Sequence, residues 1–423
     1  MMINELEHYF DRLWPICRSI TGNGLRESLN ILSELIPLQC TEVPSGTEVF
    51  DWVVPNEWNI REAWIETPDG KRICRFDENN LHVVNYSVPV DKTLTLAELR
   101  PHLHTLQRMP DAIPYITSYY KENWGFCISA NELAGLPEEG SYRVFIDSSL
   151  EPGNMTYGEM VIPGEEKDEV LISTYLCHPS MANNELSGPL VAAFTARELL
   201  QRTTRRFTYR IVFLPETIGA IAYLAKHGMH FRERLIAGYV LTCCGDRGKL
   251  TYKFSKRGDS LADKAALHVL ERQNYAYGTT PFAVGGSDER QYCSPGFNLP
   301  VGSIIRTPYQ HYPEYHTSLD NKSLISFDNL AETVRLMVDV CDTIELNRNY
   351  RNTIQYCEPQ LGKRGMYNPS LNPEDSRIQL HRLLHFLAFA DGETDLIDTA
   401  ERRGESALLY RDIILKCREA KLI

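Results

Sequence analysis

Three residues in this 423-residue chain are of types that can do hydrolytic chemistry, two of them just past buried-strand patterns and one in a loop. His178 follows "LISTYL", Glu216 follows "RIVFLP", and His316 lies in the Tyr- and Pro-rich loop "PYQHYPEYHTSLDN". Two histidines and a carboxylate arriving from separate strand ends can form a catalytic zinc site, with three protein ligands and one position open for water. A carboxylate just past a buried strand is also well placed as a general base. Each residue alone has a plainer reading. A single histidine after a strand is more often a hydrogen-bonded structural residue than a ligand. In "MANNELSG", Asn183 or Asn184 could cap a helix beginning near Ser187, with Glu185 facing the helix dipole. Glu216 could cap the helix that starts in "TIGAIAYL", and Asp288 with Arg290 in "GGSDERQYC" could be a surface ion pair. His227, His230 and His311 are read as structural.

The elements that must position these residues are legible as a pattern. Apolar runs "EVLISTYL", "YRIVFLP" and "IAGYVLTCC" alternate with the helical stretches "LVAAFTARELL" and "GAIAYLAKHG". Strands without polar alternation, separated by helices, predict an α/β fold whose mostly parallel sheet is covered on both faces. Ligands bind such sheets at the carboxyl ends of the strands. Residues 5–37 read as two packing helices broken at "SITGNG", residues 40–110 as a small β-rich insertion, and residues 350–423 as a winged helix. The α/β domain is thus expected over 1–39 and 111–345.

Composition narrows the function class. A net charge of −12 argues against nucleic acid as the main partner. No apolar run approaches the roughly 18 residues of a membrane span, and the acidic N-terminus "MMINELEHYFDRLW" lacks a signal-peptide pattern, so a cytoplasmic protein is expected. The eleven cysteines include no C-x-x-C pair and read as reduced thiols. Association into a homo-oligomer stays open.

In their order along the chain, these residues resemble the zinc-dependent aminopeptidases of the M28 type. The resemblance rests on His178, "ANNELSG", "ETIG", the Ser-Asp loop "GSDERQYC" and "YHTSLD". A closer resemblance, to the aminopeptidase-like DUF4910/DUF2172 group, covers nearly the whole chain, through "CRSITGNGLRESL", "SYYKENWGFC", "CHPSMANNELSGP", "PETIGAIAYL", "PEYHTSLDN" and "EPQLGKRGMY". It implies a zinc-aminopeptidase-like domain with a β insertion and a C-terminal winged helix. The chain departs from the M28 pattern at three carboxylates: Asn184 stands at the bridging Asp, Thr217 at the second Glu of the pair, and Thr242 at the Asp closing the next strand. Losing them removes the negative charge that a second divalent ion needs, so one Zn2+ is expected.

The resemblance implies His178, Glu185 and His316 as its ligands, with Glu185 replacing the altered neighbour, and Glu216 as general base. Asn184, Asp288, Arg290, Tyr315 and Asp320 are expected to bind substrate or to support the ligands, and Asp288 or another acidic loop residue to receive an amine. The expected activity is hydrolysis of an amide next to a free amine in a small peptide or aminoacylated molecule. The alternative is a non-catalytic binding or scaffold protein that kept the fold and lost a working centre.

Overall fold

The computed structural model describes residues 2–366 and 373–423, so Tyr367 of "EPQLGKRGMY" and the rest of 367–372 lie outside the described residues. The chain forms two compact units, residues 1–262 with 278–335, and residues 263–277 with 336–423.

The first unit is built on an eight-stranded sheet. Its strands are β1 (Gln39–Pro44), β2 (Asn154–Ile162), β3 (Glu169–Tyr175), β4 (Thr208–Leu214), β5 (Leu235–Leu241), β6 (Leu250–Lys253), β7 (Tyr277–Thr280) and β8 (Val301–Ile305). Their spatial order is β1-β2-β4-β3-β5-β8-β6-β7. The middle four, β4, β3, β5 and β8, run parallel, while the β1/β2, β2/β4 and β6/β8 pairs are antiparallel. Every residue of β3 is buried, as expected for a strand covered on both faces. The helix Ile218–Arg234 covers one face, packing Ala220, Tyr223, Leu224 and Phe231 against Leu171, Val212 and Val240. The helix Ser187–Leu200 approaches β3 and β5 closely at Gly188, where an added Cβ would lie 2.3 Å from the Leu241 carbonyl. Only glycine permits that approach.

A second, four-stranded antiparallel sheet lies in the order Arg72–Ile73, Glu57–Glu66, Ser141–Glu151, Val90–Thr95. It has its own core, which includes Ala63, Ile65, Leu96, Phe126, Val144 and Ile146. This sheet differs from the stretch 40–110 read from composition. Gln39–Pro44 pairs with β2 of the large sheet, and the strand Ser141–Glu151 joins the small one from well beyond residue 110. The reason is long-range pairing: one strand ends at Glu151, β2 begins at Asn154, and the chain passes between sheets there without a composition change.

The second unit contains a two-stranded pair, Asn349–Arg351 with Asp391–Asp395, and the helices Pro373–Phe389, Leu396–Glu401 and Arg411–Glu419. It also takes in most of the mid-chain helix Leu261–Arg272. Lys264 pairs with Asp395 and Asp398, each at 2.7 Å, and the His268 and Arg272 side chains hydrogen-bond Glu401.

Candidate functional site

The parallel strands carry the candidate residues at their carboxyl ends. His178 follows β3, Glu216 follows β4, Thr242 follows β5 and His316 lies in the loop after β8. This is where an open α/β sheet leaves a crevice.

His178 is held from both sides. Its Nδ1 lies 2.8 Å from Glu185 Oε2, and its backbone carbonyl accepts from Arg18 Nε at 3.0 Å. Arg18 is fully buried, and its Nε lies 3.5 Å from Glu185 Oε1. Burial raises the Glu185 carboxyl to about 8, with Arg18 only partly opposing. Against this, an arginine keeps its proton even when buried, and a guanidinium 3.5 Å away needs a carboxylate as its counter-charge. His178 then donates from Nδ1 and keeps its Nε2 lone pair free. Glu185, expected to reach an ion directly, hydrogen-bonds His178 Nδ1 through its Oε2.

Cys177 Sγ, His178 and the Glu185 carboxylate form a group whose ligand atoms lie within 4.8 Å of one another. A cation in that group would meet the fixed charge of Arg18, and Nδ1 already has a partner. The Cys177 thiol is also pushed well up by burial, away from the thiolate that binds metal. The opposite face of His178 suits a cation better. There its Nε2 lies 3.6 Å from Glu216 Oε2, and the His316 ring centroid is 5.5 Å away. Two imidazoles sharing one zinc at about 2 Å each have centroids roughly 5 Å apart. His316 Nε2 and Asn184 Oδ1 are buried without a hydrogen-bond partner among the described residues. Burial pushes both His178 and His316 down to about 3, so both rings are neutral. Neutral imidazole nitrogens of this kind fit a divalent ion.

Asn184 does not cap a helix. Residues 182–186 form a single wide π turn that runs into the helix Ser187–Leu200 with no side-chain cap. Such turns inside helices often mark functional sites. Asp320 anchors the turn by accepting from the backbone N–H groups of Asn183 and Asn184 at 2.6 and 2.9 Å. Asn183 Oδ1 accepts from the amides of Gly245 and Asp246. Tyr175, at the end of β3, places its hydroxyl 2.6 Å from Thr242 Oγ1 and 2.7 Å from Asn184 Nδ2. The residues at two of the altered carboxylate positions are thus joined through a neutral hydroxyl.

His316 sits in the left-handed region at φ 57° and stacks on Tyr315 with centroids 4.0 Å apart. Tyr115 wedges against both histidines, at 5.2 Å from His178 and 5.3 Å from His316. Burial raises the Glu216 carboxyl to about 7, with Arg290 opposing. Asp288 is fully buried and accepts from the Thr217 backbone N–H at 2.7 Å. It makes no surface ion pair with Arg290, whose Nη2 instead donates to Thr217 Oγ1 at 2.8 Å. Residue types pointed to neither Arg18 nor Tyr175, although a lone arginine inside the small-residue stretch "CRSITGNG" was a usable signal for the former.

The comparisons with known proteins agree with this architecture. A winged helix-turn-helix domain matches residues 348–423. A Clostridium acetobutylicum protein, described as a candidate polysaccharide biosynthesis protein with an aminopeptidase-like domain, is 46% identical over 400 residues, covering 95% of this chain and 91% of the relative. The crystal structure of a candidate peptidase from Clostridium acetobutylicum superposes with a TM-score of 0.92 at 43% identity, over 99% of this chain and 96% of that one. A zinc aminopeptidase from Bacillus subtilis shares the fold at 12% identity, with a TM-score of 0.58 over 79% of this chain and 94% of that one. The domain of unknown function DUF4910 matches residues 7–347, and the chain belongs to that family.

Proposed function

We propose that the protein is a hydrolase of amide bonds that uses one zinc ion held between His178 and His316, with Asn184 Oδ1 as the neighbouring oxygen donor and Glu216 as general base. The observation that carries this reading is the pairing of the buried His178 imidazole with the half-buried His316 imidazole, both neutral, and with a carboxyl near neutrality 3.6 Å from His178 Nε2. A bound divalent ion would polarise the substrate carbonyl and bring the pKa of water towards about 7. Arg18 and Glu185 fix the tautomer and orientation of His178, as carboxylates behind metal-bound histidines do. Glu216 takes a proton from the attacking water and passes it to the departing amide nitrogen as the C–N bond breaks. A carboxyl near 7 can perform both transfers.

The proposed substrate is a small peptide or an aminoacylated small molecule; the name of the Clostridium relative states an aminopeptidase-like domain and polysaccharide biosynthesis. The cytoplasm is the proposed location, and nucleic acid is not a proposed partner. No helix among the described residues is long and apolar enough to cross a membrane.

Metal analysis of purified, zinc-exposed protein tests this reading. About one ion per chain is expected, lost in His178→Ala and His316→Ala and kept in Glu216→Gln, whose turnover should fall about 10²- to 10⁴-fold. Absence of stoichiometric metal, with both histidine variants unchanged, would overturn it. A second reading, a binding protein that kept this fold without catalysis, is favoured by the Tyr175 bridge between Asn184 and Thr242. Metal-dependent release of product from any aminoacyl amide rules that reading out.

A further inference from the structure

A cavity of about 310 Å³ opens beside His178 and Glu216. Its walls include Trp52, Tyr119 and Tyr120, and Arg290 lies among its lining residues. A site that grips a free amine needs a carboxylate facing the substrate in addition to the general base. No such group lines this cavity. Asp288, expected to receive the amine, is fully buried with Oδ1 on the Thr217 amide, and it is absent from the cavity wall. Glu289 is buried against Lys253 at 2.7 Å. Glu185 lies behind His178 beside Arg18, and Asp320 is engaged by the 182–186 turn.

The cavity wall does hold a charge of the opposite sign, Arg290, together with Glu216. Arg290 donates to Thr217 Oγ1, and no carboxylate lies within 4.0 Å of its guanidinium among the described residues. Thr217, a β-branched residue, is held at φ 66°, a strained conformation of the kind that collects at functional sites. The strain presents its hydroxyl to Arg290, which leaves the other N–H groups of a planar fork that suits carboxylates.

We propose that Arg290 binds a carboxylate of the substrate, so that this site takes N-acyl amino acids or the carboxyl ends of short peptides, with an apolar side chain against Trp52, Tyr119 and Tyr120. This rests on the amide-hydrolase reading of the same site, and it replaces the free amine by a free acid as the group recognised.

Calorimetric binding of three matched ligands to the full-length, metal-free protein tests it: N-acetyl-phenylalanine, its C-terminal amide, and phenylalaninamide with a free amine. Metal-free protein keeps the acid from binding zinc instead of arginine. The acid should bind at least about tenfold more tightly than either amide, a factor typical of one charge-assisted hydrogen-bonded pair. The preference should vanish in Arg290→Gln and survive in part in Arg290→Lys, with thermal unfolding confirming that both variants fold. Absent binding of the acid, equal binding of an amide, or a preference that persists in Arg290→Gln overturns the proposal. Turnover by zinc-loaded protein separates the two readings. An acid preference without hydrolysis of any of the three ligands sinks the hydrolase and keeps the carboxylate site. Hydrolysis of the free-amine ligand in preference to the acid sinks the carboxylate site and keeps the hydrolase.

Discussion

Arg18, Glu185 and His178 form a buried chain in which each group limits what the next can do. The guanidinium keeps its charge, the carboxylate answers it, and the imidazole is left neutral with one free nitrogen. Removing one partner of a buried pair is far more costly than removing both, because a lone buried charge remains. Arg18→Met should therefore lose about 3 to 5 kcal/mol in denaturant unfolding, and adding Glu185→Met to it should recover part of that loss. Glu185→Gln keeps the shape but weakens the orientation of His178, so zinc affinity in competition titrations should drop about 10- to 100-fold. A Glu185 that ligated the ion itself would give a far larger loss.

The helix Ser187–Leu200 and the π turn before it are set against the sheet by one residue without a side chain. A Cβ at Gly188 would lie 2.3 Å from the Leu241 carbonyl and 2.6 Å from Thr174 Oγ1. Gly188→Ala should then cost about 1 to 3 kcal/mol by overpacking and lower metal affinity as well, since the turn carrying Asn184 and Glu185 must shift with the helix. A variant that loses stability and retains zinc affinity would show that the turn is positioned by Asp320 alone. Glu57 does a similar job between elements. It takes two hydrogen bonds from Arg26, at 2.7 and 2.8 Å, and one from the Asn154 amide, so helix Asn23–Ser33, strand Glu57–Glu66 and β2 meet on one carboxylate. The Arg26 hydrogen bonds lead in holding this carboxyl down at about 2, against an ordinary 4.5. A folded value below the unfolded one gives stability that is full above about pH 4.5 and lost as the pH falls towards 2. Glu57→Gln should cost about 2 kcal/mol at pH 7, with the gap to wild type closing as unfolding is followed down to pH 2.

The winged-helix unit is not a simple C-terminal appendage. It includes residues 263–277 from the middle of the chain, and Lys264, His268 and Arg272 supply its contacts to Asp395, Asp398 and Glu401. His268 Nε2 also accepts from the Ala407 amide. A fragment of residues 348–423 alone leaves those acidic groups without their cations and uncovers the apolar faces around them. It should show no cooperative thermal transition by circular dichroism, whereas the full chain should. A fragment that melts cooperatively would mean that the mid-chain helix is dispensable.

The order and type of the main elements could be read from the sequence, because unbroken apolar runs such as "EVLISTYL" admit few alternatives once helical patterns separate them. The same reading placed His178, Glu216 and His316 near one another, since parallel strands send their carboxyl ends to one edge. It could not assign Ser141–Glu151 to the second sheet or residues 263–277 to the winged-helix unit, because both depend on pairing between distant segments that carry no local signal. Nor could it separate the roles of Asn184 and Glu185, which differ by one position. The structure adds Arg18, some 160 residues earlier in the chain. Its buried charge lies 3.5 Å from Glu185, while Asn184 Oδ1 has no hydrogen-bond partner among the described residues, an arrangement of three-dimensional electrostatics that residue types in a row do not contain.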